Sequence, residues 1–184
     1  MPGFFPIVLV LLVVLVVKIP LPSTIAVLMG VSGSGKTTVG RILAHELAWP
    51  FYDADDFHPP ANLEKMHRGL ALTDADRAPW LDALHAHLQQ LAGAGHSAVL
   101  ACSALKRAYR DRLRAQIDAV RFVYLRGDAS LIRLRLARRS GHFMPIDLLQ
   151  SQLDTLEAPA DAIAVDIDDP PEQIAARIKA LLVS

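Results

Sequence analysis

The segment Gly30-Val31-Ser32-Gly33-Ser34-Gly35-Lys36-Thr37 constrains this chain more than any other feature. It sits between an apolar, β-rich run, Thr24–Met29, and a helical pattern from Lys36 to Leu47. The spacing G-x-x-x-x-G-K-[ST] in a strand–turn–helix context makes a phosphate cradle. Glycines let the backbone curl so that successive N–H groups point inward, and the helix N-terminus adds donors and a favourable dipole. Lys36 brings a mobile positive charge for the outer phosphates, and Thr37 a hydroxyl for Mg²⁺. The expected ATP-binding set is Gly30, Val31, Ser32, Gly33, Ser34, Gly35, Lys36, Thr37 and Thr38.

Strand-like and helical runs alternate after this loop. Pro50–Asp53, Ser97–Cys102, Val120–Leu125 and Ala162–Ile167 read as strands. Pro79–Leu91, Lys106–Ile117, Ala129–Arg139, Ile146–Leu156 and Pro171–Leu182 read as helices, the first with Pro79 in its opening turn. This alternation predicts an α/β chain with a parallel sheet and helices on both faces. The 184 residues suit one domain with a full core. Lys+Arg and Asp+Glu are both 19, so no global basic field invites nucleic acid. One cysteine excludes an intrachain disulfide framework and fits a reducing compartment. There is no N-K-x-D base-reading motif, and the Ser97–Cys102 run does not end in an acid as an ATPase motor would require. A small kinase is the class that remains.

A kinase needs a carboxylate to orient and deprotonate the attacking hydroxyl. Asp53-Ala54-Asp55-Asp56 follows the second strand, and in extended backbone Asp53 and Asp55 point the same way. One would serve the metal side and one the hydroxyl, in an order that spacing leaves open. His58, Asn62 and Lys65 share one face of a helix begun by Pro59. On spacing alone that face reads as solvated. Thr73, Asp74 and Asp76 suit a helix cap and Trp80 the core. Ser103, Lys106 and Arg110 lie just past the third strand, where open α/β sheets gather ligands. Arg135 and Arg139, followed by Gly141-His142, suit a lid that neutralises transferring phosphate. Cys102 reads as a small buried residue.

These blocks together resemble the small P-loop gluconokinases. The phosphate loop, Asp53-Ala54-Asp55-Asp56-Phe57-His58-Pro59, Leu72-Thr73-Asp74-Ala75-Asp76-Arg77 with Pro79-Trp80-Leu81, Cys102-Ser103-Ala104-Leu105-Lys106, Gly141-His142-Phe143 and Gln152-Leu153-Asp154-Thr155-Leu156-Glu157 carry the likeness. It runs in register from Thr24 to the C-terminus. The resemblance implies a P-loop kinase fold with a five-stranded parallel sheet and a mobile lid around Arg135–Phe143. It implies transfer of the ATP γ-phosphoryl to the 6-hydroxyl of D-gluconate, with Mg²⁺, in a cytoplasmic homodimer. The catalytic residues would be Lys36, Asp55, Arg135 and Arg139. The acceptor would meet Asp55, His58, Asn62, Lys65, Ser103, Lys106, Arg110 and His142. The metal would meet Thr37 and Asp53. The competing expectations are a same-fold kinase for another hydroxy acid such as shikimate, and a membrane-tethered nucleotide-binding protein without catalysis.

The tether would be residues 1–22. Phe4–Val17 holds 14 residues with no polar side chain, before Lys18, Pro20 and Pro22. As a helix it would span roughly 21 Å, short of a hydrocarbon core of about 30 Å. It lacks the basic flank and cleavage site of a signal peptide. The readings are an anchor through residues 4–21, an apolar segment packed on the domain, or a start codon placed too far upstream. The last two are the ones expected here, with residues 23–184 forming the kinase domain.

Overall fold

The computed structural model describes residues 23–137 and 146–183. Five strands, β1 (Ile25–Met29), β2 (Phe51–Asp53), β3 (Ala98–Ala101), β4 (Val120–Arg126) and β5 (Ile163–Asp166), form one all-parallel sheet in the order β2-β3-β1-β4-β5. The helices are α1 (Lys36–Leu47), α2 (Pro60–His67), α3 (Asp74–Gly93), α4 (Arg107–Arg114), α5 (Ala129–Ala137), α6 (Ile146–Thr155) and α7 (Pro171–Val183). The expected α/β architecture is therefore present, strand for strand. The apolar leader 1–22 and the segment 138–145 lie outside the described residues. Among those described, no helix is long and apolar enough to cross a membrane.

β1 explains the layering. Every residue of it is buried. Ile25, Val27 and Met29 face a core built with Trp80, Leu84 and Leu88 of α3 and Leu113 of α4. Ala26 and Leu28 face the opposite core, with Val39 and Leu43 of α1, Ile132 of α5 and Ile174 and Ile178 of α7. Period-two alternation puts successive side chains on opposite faces, and both must be apolar when helices cover both. The strand order reverses between β1 and β3. The crevice beyond the carboxyl ends of those strands is where such sheets bind ligands. There Gly30 N–H donates to the Ser103 carbonyl (3.3 Å), joining the loops after β1 and β3.

One helix boundary corrects the sequence reading. α3 starts at Asp74, so Pro79 lies inside it rather than in its first turn. A capping box sets the true start: Asp76 N–H donates to Thr73 Oγ1 (3.2 Å) and Thr73 N–H donates to Asp76 Oδ2 (2.8 Å). This satisfies two amide donors reciprocally, and the helix runs on through Pro79, which lacks an N–H to donate to the preceding turn. Thr73→Ala should cost about 1 kcal/mol of stability. A thermal melt should show the midpoint down by about 2–4 °C; an unchanged midpoint would mean that the cap is not what starts α3.

Candidate active site

α1 begins directly from the phosphate loop. Gly35 precedes it at φ 95°, no side chain caps it, and its first turn holds no acid. Its opening amides thus face an anion site without local competition. Gly33 stands at φ +84°, and a Cβ there would lie 2.8 Å from Leu136 Cγ of α5. Gly33→Ala meets both a backbone penalty and a clash. It should weaken nucleotide binding about 10-fold or more, as titration with ADP would reveal. Lys36 Nζ donates to the carbonyls of Gly30 (3.0 Å) and Val31 (3.1 Å), which draws the ammonium back along the loop.

Thr37 and Asp53, expected on the metal side, meet. Thr37 Oγ1 donates to Asp53 Oδ2 at 3.0 Å. A hydroxyl and a carboxylate beside a phosphate cradle are hard oxygen donors that suit Mg²⁺. No group of three or more His, Cys, Asp or Glu is placed to hold a metal among the described residues.

The expected extended backbone through Asp55 is corrected. β2 stops at Asp53, and Ala54–Phe57 is a 3₁₀ turn capped by Asp53 Oδ1, which accepts from Asp55 N–H at 3.2 Å. Aspartate favours this local bond over strand continuation. The two carboxylates remain coupled. Asp55 is pushed above the usual carboxylate range, first by burial within the walls of the crevice, then by Asp53; Lys36 opposes the rise. The side-chain surface itself is 73% open, so the cleft crowds Asp55 without covering it. An accessible carboxylate that binds its proton more tightly than usual is suited to accept one from a hydroxyl.

His58, Asn62 and Lys65 come together; the expected wet face holds only for Lys65, whose side chain is 43% exposed, while the His58 side chain and Asn62 are buried. The His58 side chain is only 5% exposed and stacks on Trp80, with ring centroids 4.5 Å apart. Asn62 is buried, and its Nδ2 donates to the Asp76 carbonyl (2.8 Å) and meets His58 Nδ1 at 3.3 Å. An amide nitrogen can only donate, so His58 Nδ1 is the acceptor and its proton sits on Nε2. That nitrogen lies 4.0 Å from Asp55 Oδ1. Burial first, and then Arg77, lower the His58 pKa, so the ring is neutral near pH 7. Lys65 Nζ donates to Asp76 Oδ1 at 2.6 Å. Hydrogen bonds from Lys65 and then Thr73 hold the Asp76 carboxyl down at about 2. Trp80 adds a second hold, its Nε1 donating to the Ala54 carbonyl (2.7 Å). The start of α3 is thus the frame on which α2 and the Asp55 turn are hung. That role of Asp76 and Trp80 lay beyond the sequence reading, which saw a cap and a core residue.

The remaining candidates divide. Ser103 lies two residues past β3, where its carbonyl accepts from Gly30 N–H. Lys106 reaches Asp74 with Nζ 2.8 Å from both carboxylate oxygens, and Tyr109 donates to the same carboxylate. Arg110, expected to face an anionic acceptor, is buried; its Nη1 donates to the carbonyls of Ala104 (3.0 Å) and Leu105 (2.9 Å). Ala104 sits at φ 42°, so Arg110 braces a bent loop instead of lining the crevice. Arg135 donates from Nη2 to the Ile167 carbonyl (2.5 Å), where the end of β5 offers an acceptor, and not toward the phosphate loop. Arg139 and His142 lie outside the described residues, as does most of the expected lid. Cys102 is buried, which pushes its thiol up to about 12 and leaves it inert as a nucleophile. An open hollow of about 650 Å³ lined by Thr24, Gln89, Ile117 and Arg121 lies at the other end of β1 and carries none of these groups.

Comparison with known proteins gives the family. The family model described as an AAA domain (AAA_33) matches residues 25–163. A gluconokinase of Gluconobacter oxydans is 56% identical over 135 residues, covering 73% of this chain and 76% of its own. The crystal structure of a sugar kinase from Janibacter superposes with TM-score 0.82 at 48% identity, over 88% of this chain and 95% of that one. A gluconokinase structure from Sinorhizobium meliloti gives TM-score 0.76 at 43% identity, over 88% and 96%. With likeness of that order in both sequence and backbone, this chain belongs to the gluconokinase family of P-loop kinases.

Proposed function

We propose that this protein phosphorylates D-gluconate at its 6-hydroxyl, using ATP and giving 6-phosphogluconate and ADP. The observation that carries this is the meeting of four groups at one end of the sheet. They are the cradle with Lys36, the Thr37–Asp53 pair, the crowded Asp55, and the neutral His58 beside it. Identity of 44–56% to gluconokinases from several organisms supports gluconate as the acceptor.

In this reading the loop amides and Lys36 hold the ATP phosphates. Asp55 accepts a hydrogen bond from the acceptor hydroxyl and takes its proton as the oxygen bonds to the γ-phosphorus. The bond from that phosphorus to the β,γ-bridging oxygen breaks, and ADP leaves with the electron pair. Mg²⁺, held through Thr37 and Asp53, would neutralise phosphate charge. His58, Lys65 and Lys106 supply polar contacts for a polyol carboxylate, with Asn62 and Asp76 fixing the first two. Arg135 can aid the transferring group only by exchanging its bond to Ile167. We also propose that the protein acts as a homodimer in the cytoplasm, the state implied by the resemblance of its sequence blocks.

The test is ADP release by the full chain with ATP and Mg²⁺, using gluconate, shikimate, glucose, glycerate or no acceptor. Turnover with gluconate alone is expected. Turnover with another acceptor would keep the kinase and discard the substrate.

A further inference from the structure

We infer that Gln152 is a positioning residue for nucleotide binding, its side-chain amide holding the phosphate loop at Ser32 in its receptive shape. This rests on the reading of the loop as a nucleotide site. Ser32 N–H donates to Gln152 Oε1 at 2.7 Å, and Gln152 Nε2 donates to Ser32 Oγ at 3.1 Å. The amide therefore meets both polar groups of one residue, with each end matched to its chemistry. Ser32 stood among the expected ATP contacts, yet its N–H is committed to a side chain 120 residues away.

The surroundings make this a built contact. Gly33, next in the loop, is covered by Leu136 and Ile132 of α5. α5 is tied to α6 where Arg133 Nη2 donates to Gln150 Oε1 (2.9 Å). Just past α6, Glu157 accepts from Arg107 N–H (2.6 Å), and its own N–H donates to the Leu105 carbonyl (3.0 Å). Gln152 thus projects from a helix tied at its middle and just past its C-terminal end. A glycine-rich loop has many conformers, and binding strengthens when the receptive one is held beforehand. No direct contact of Gln152 with substrate is needed for this effect.

The test uses the full chain with Gln152→Met, which keeps the side-chain length and removes both hydrogen bonds. ADP with Mg²⁺ is titrated by calorimetry, and kinetics are run with gluconate. ADP should bind about 10-fold more weakly and the KM for ATP should rise by a similar factor, while the KM for gluconate stays within about 2-fold. Ser32→Ala alone should weaken ADP by about 3-fold, and should add nothing in the Gln152→Met background. Gln152→Asn, one methylene too short to span both groups, should repeat the loss and guards against misfolding of the first variant. ADP affinity within 2-fold of the parent for Gln152→Met or Gln152→Asn would overturn the inference. So would effects of Ser32→Ala and Gln152→Met that simply multiply. If the parent chain fails to phosphorylate gluconate, the proposed substrate falls, while ADP calorimetry still decides on Gln152.

Discussion

Lys36→Ala should lower turnover by about 10³-fold or more, with the fold intact. Transfer of a phosphoryl group is mostly a matter of positioning and charge neutralisation, and the loop amides carry only partial charges. Lys36 supplies the full charge. Its Nζ is held within the loop by the carbonyls of Gly30 and Val31. The lysine opens α1 with no side chain capping that helix, so alanine suits the position and the thermal midpoint should hardly move. Single-turnover ADP formation measured beside a melting curve separates the two effects. Unchanged kinetics would discard the phosphate-loop assignment.

Asp55→Asn should lower kcat by about 10²-fold or more and leave the KM for ATP near its parent value. The amide keeps the shape and loses the ability to take a proton. The pH profile gives a sharper signature. A base works only when deprotonated, so kcat/KM should rise with pH through the Asp55 pKa. Burial and Asp53 place that pKa above the ordinary 3.8. Asp53→Asn, by removing the neighbouring charge, should shift the limb toward lower pH. The Lys65–Asp76 clamp cannot cause the same limb, because the Asp76 carboxyl is held at about 2. Stability should follow the opposite sign. The folded chain binds the Asp55 proton more tightly than the unfolded chain. The stabilisation from this group is therefore present below 3.8 and lost as pH rises through the raised value. At neutral pH Asp55→Asn should be no less stable than the parent, as expected where a site trades stability for activity. A fully active variant would remove Asp55 from the chemistry.

Much of this was legible from local pattern. The eight-residue loop and the period-two runs of β1 and β4 carry their meaning within a few residues, because strand pleat and glycine geometry are local properties. Lys36 and Thr37 could be read for the same reason, since the motif is one continuous turn; spacing left the roles of Asp53 and Asp55 open. The acceptor side was less legible. The spacing of His58, Asn62 and Lys65 correctly made them neighbours, yet it read as a solvated face. The burial of the His58 side chain and Asn62, and the ion pair of Lys65, depend on Trp80 and Asp76, which arrive from a helix that starts seven residues beyond α2.

The sequence by itself determined the class of the protein: a parallel α/β sheet, a phosphate loop, and the residue types for transfer to a polyol acid. Tertiary structure alone decided which side chains face the crevice and which hold it in shape. Arg110 lies just past the third strand, where ligands gather, but packing turned it under the Ala104 bend. Gln152 entered the sequence reading only within a family-like block and without a role, yet it meets Ser32 across most of the chain. Periodicity encodes the face of an element, whereas the partner on that face is set by where the other elements dock, and docking follows from burying the whole core at once.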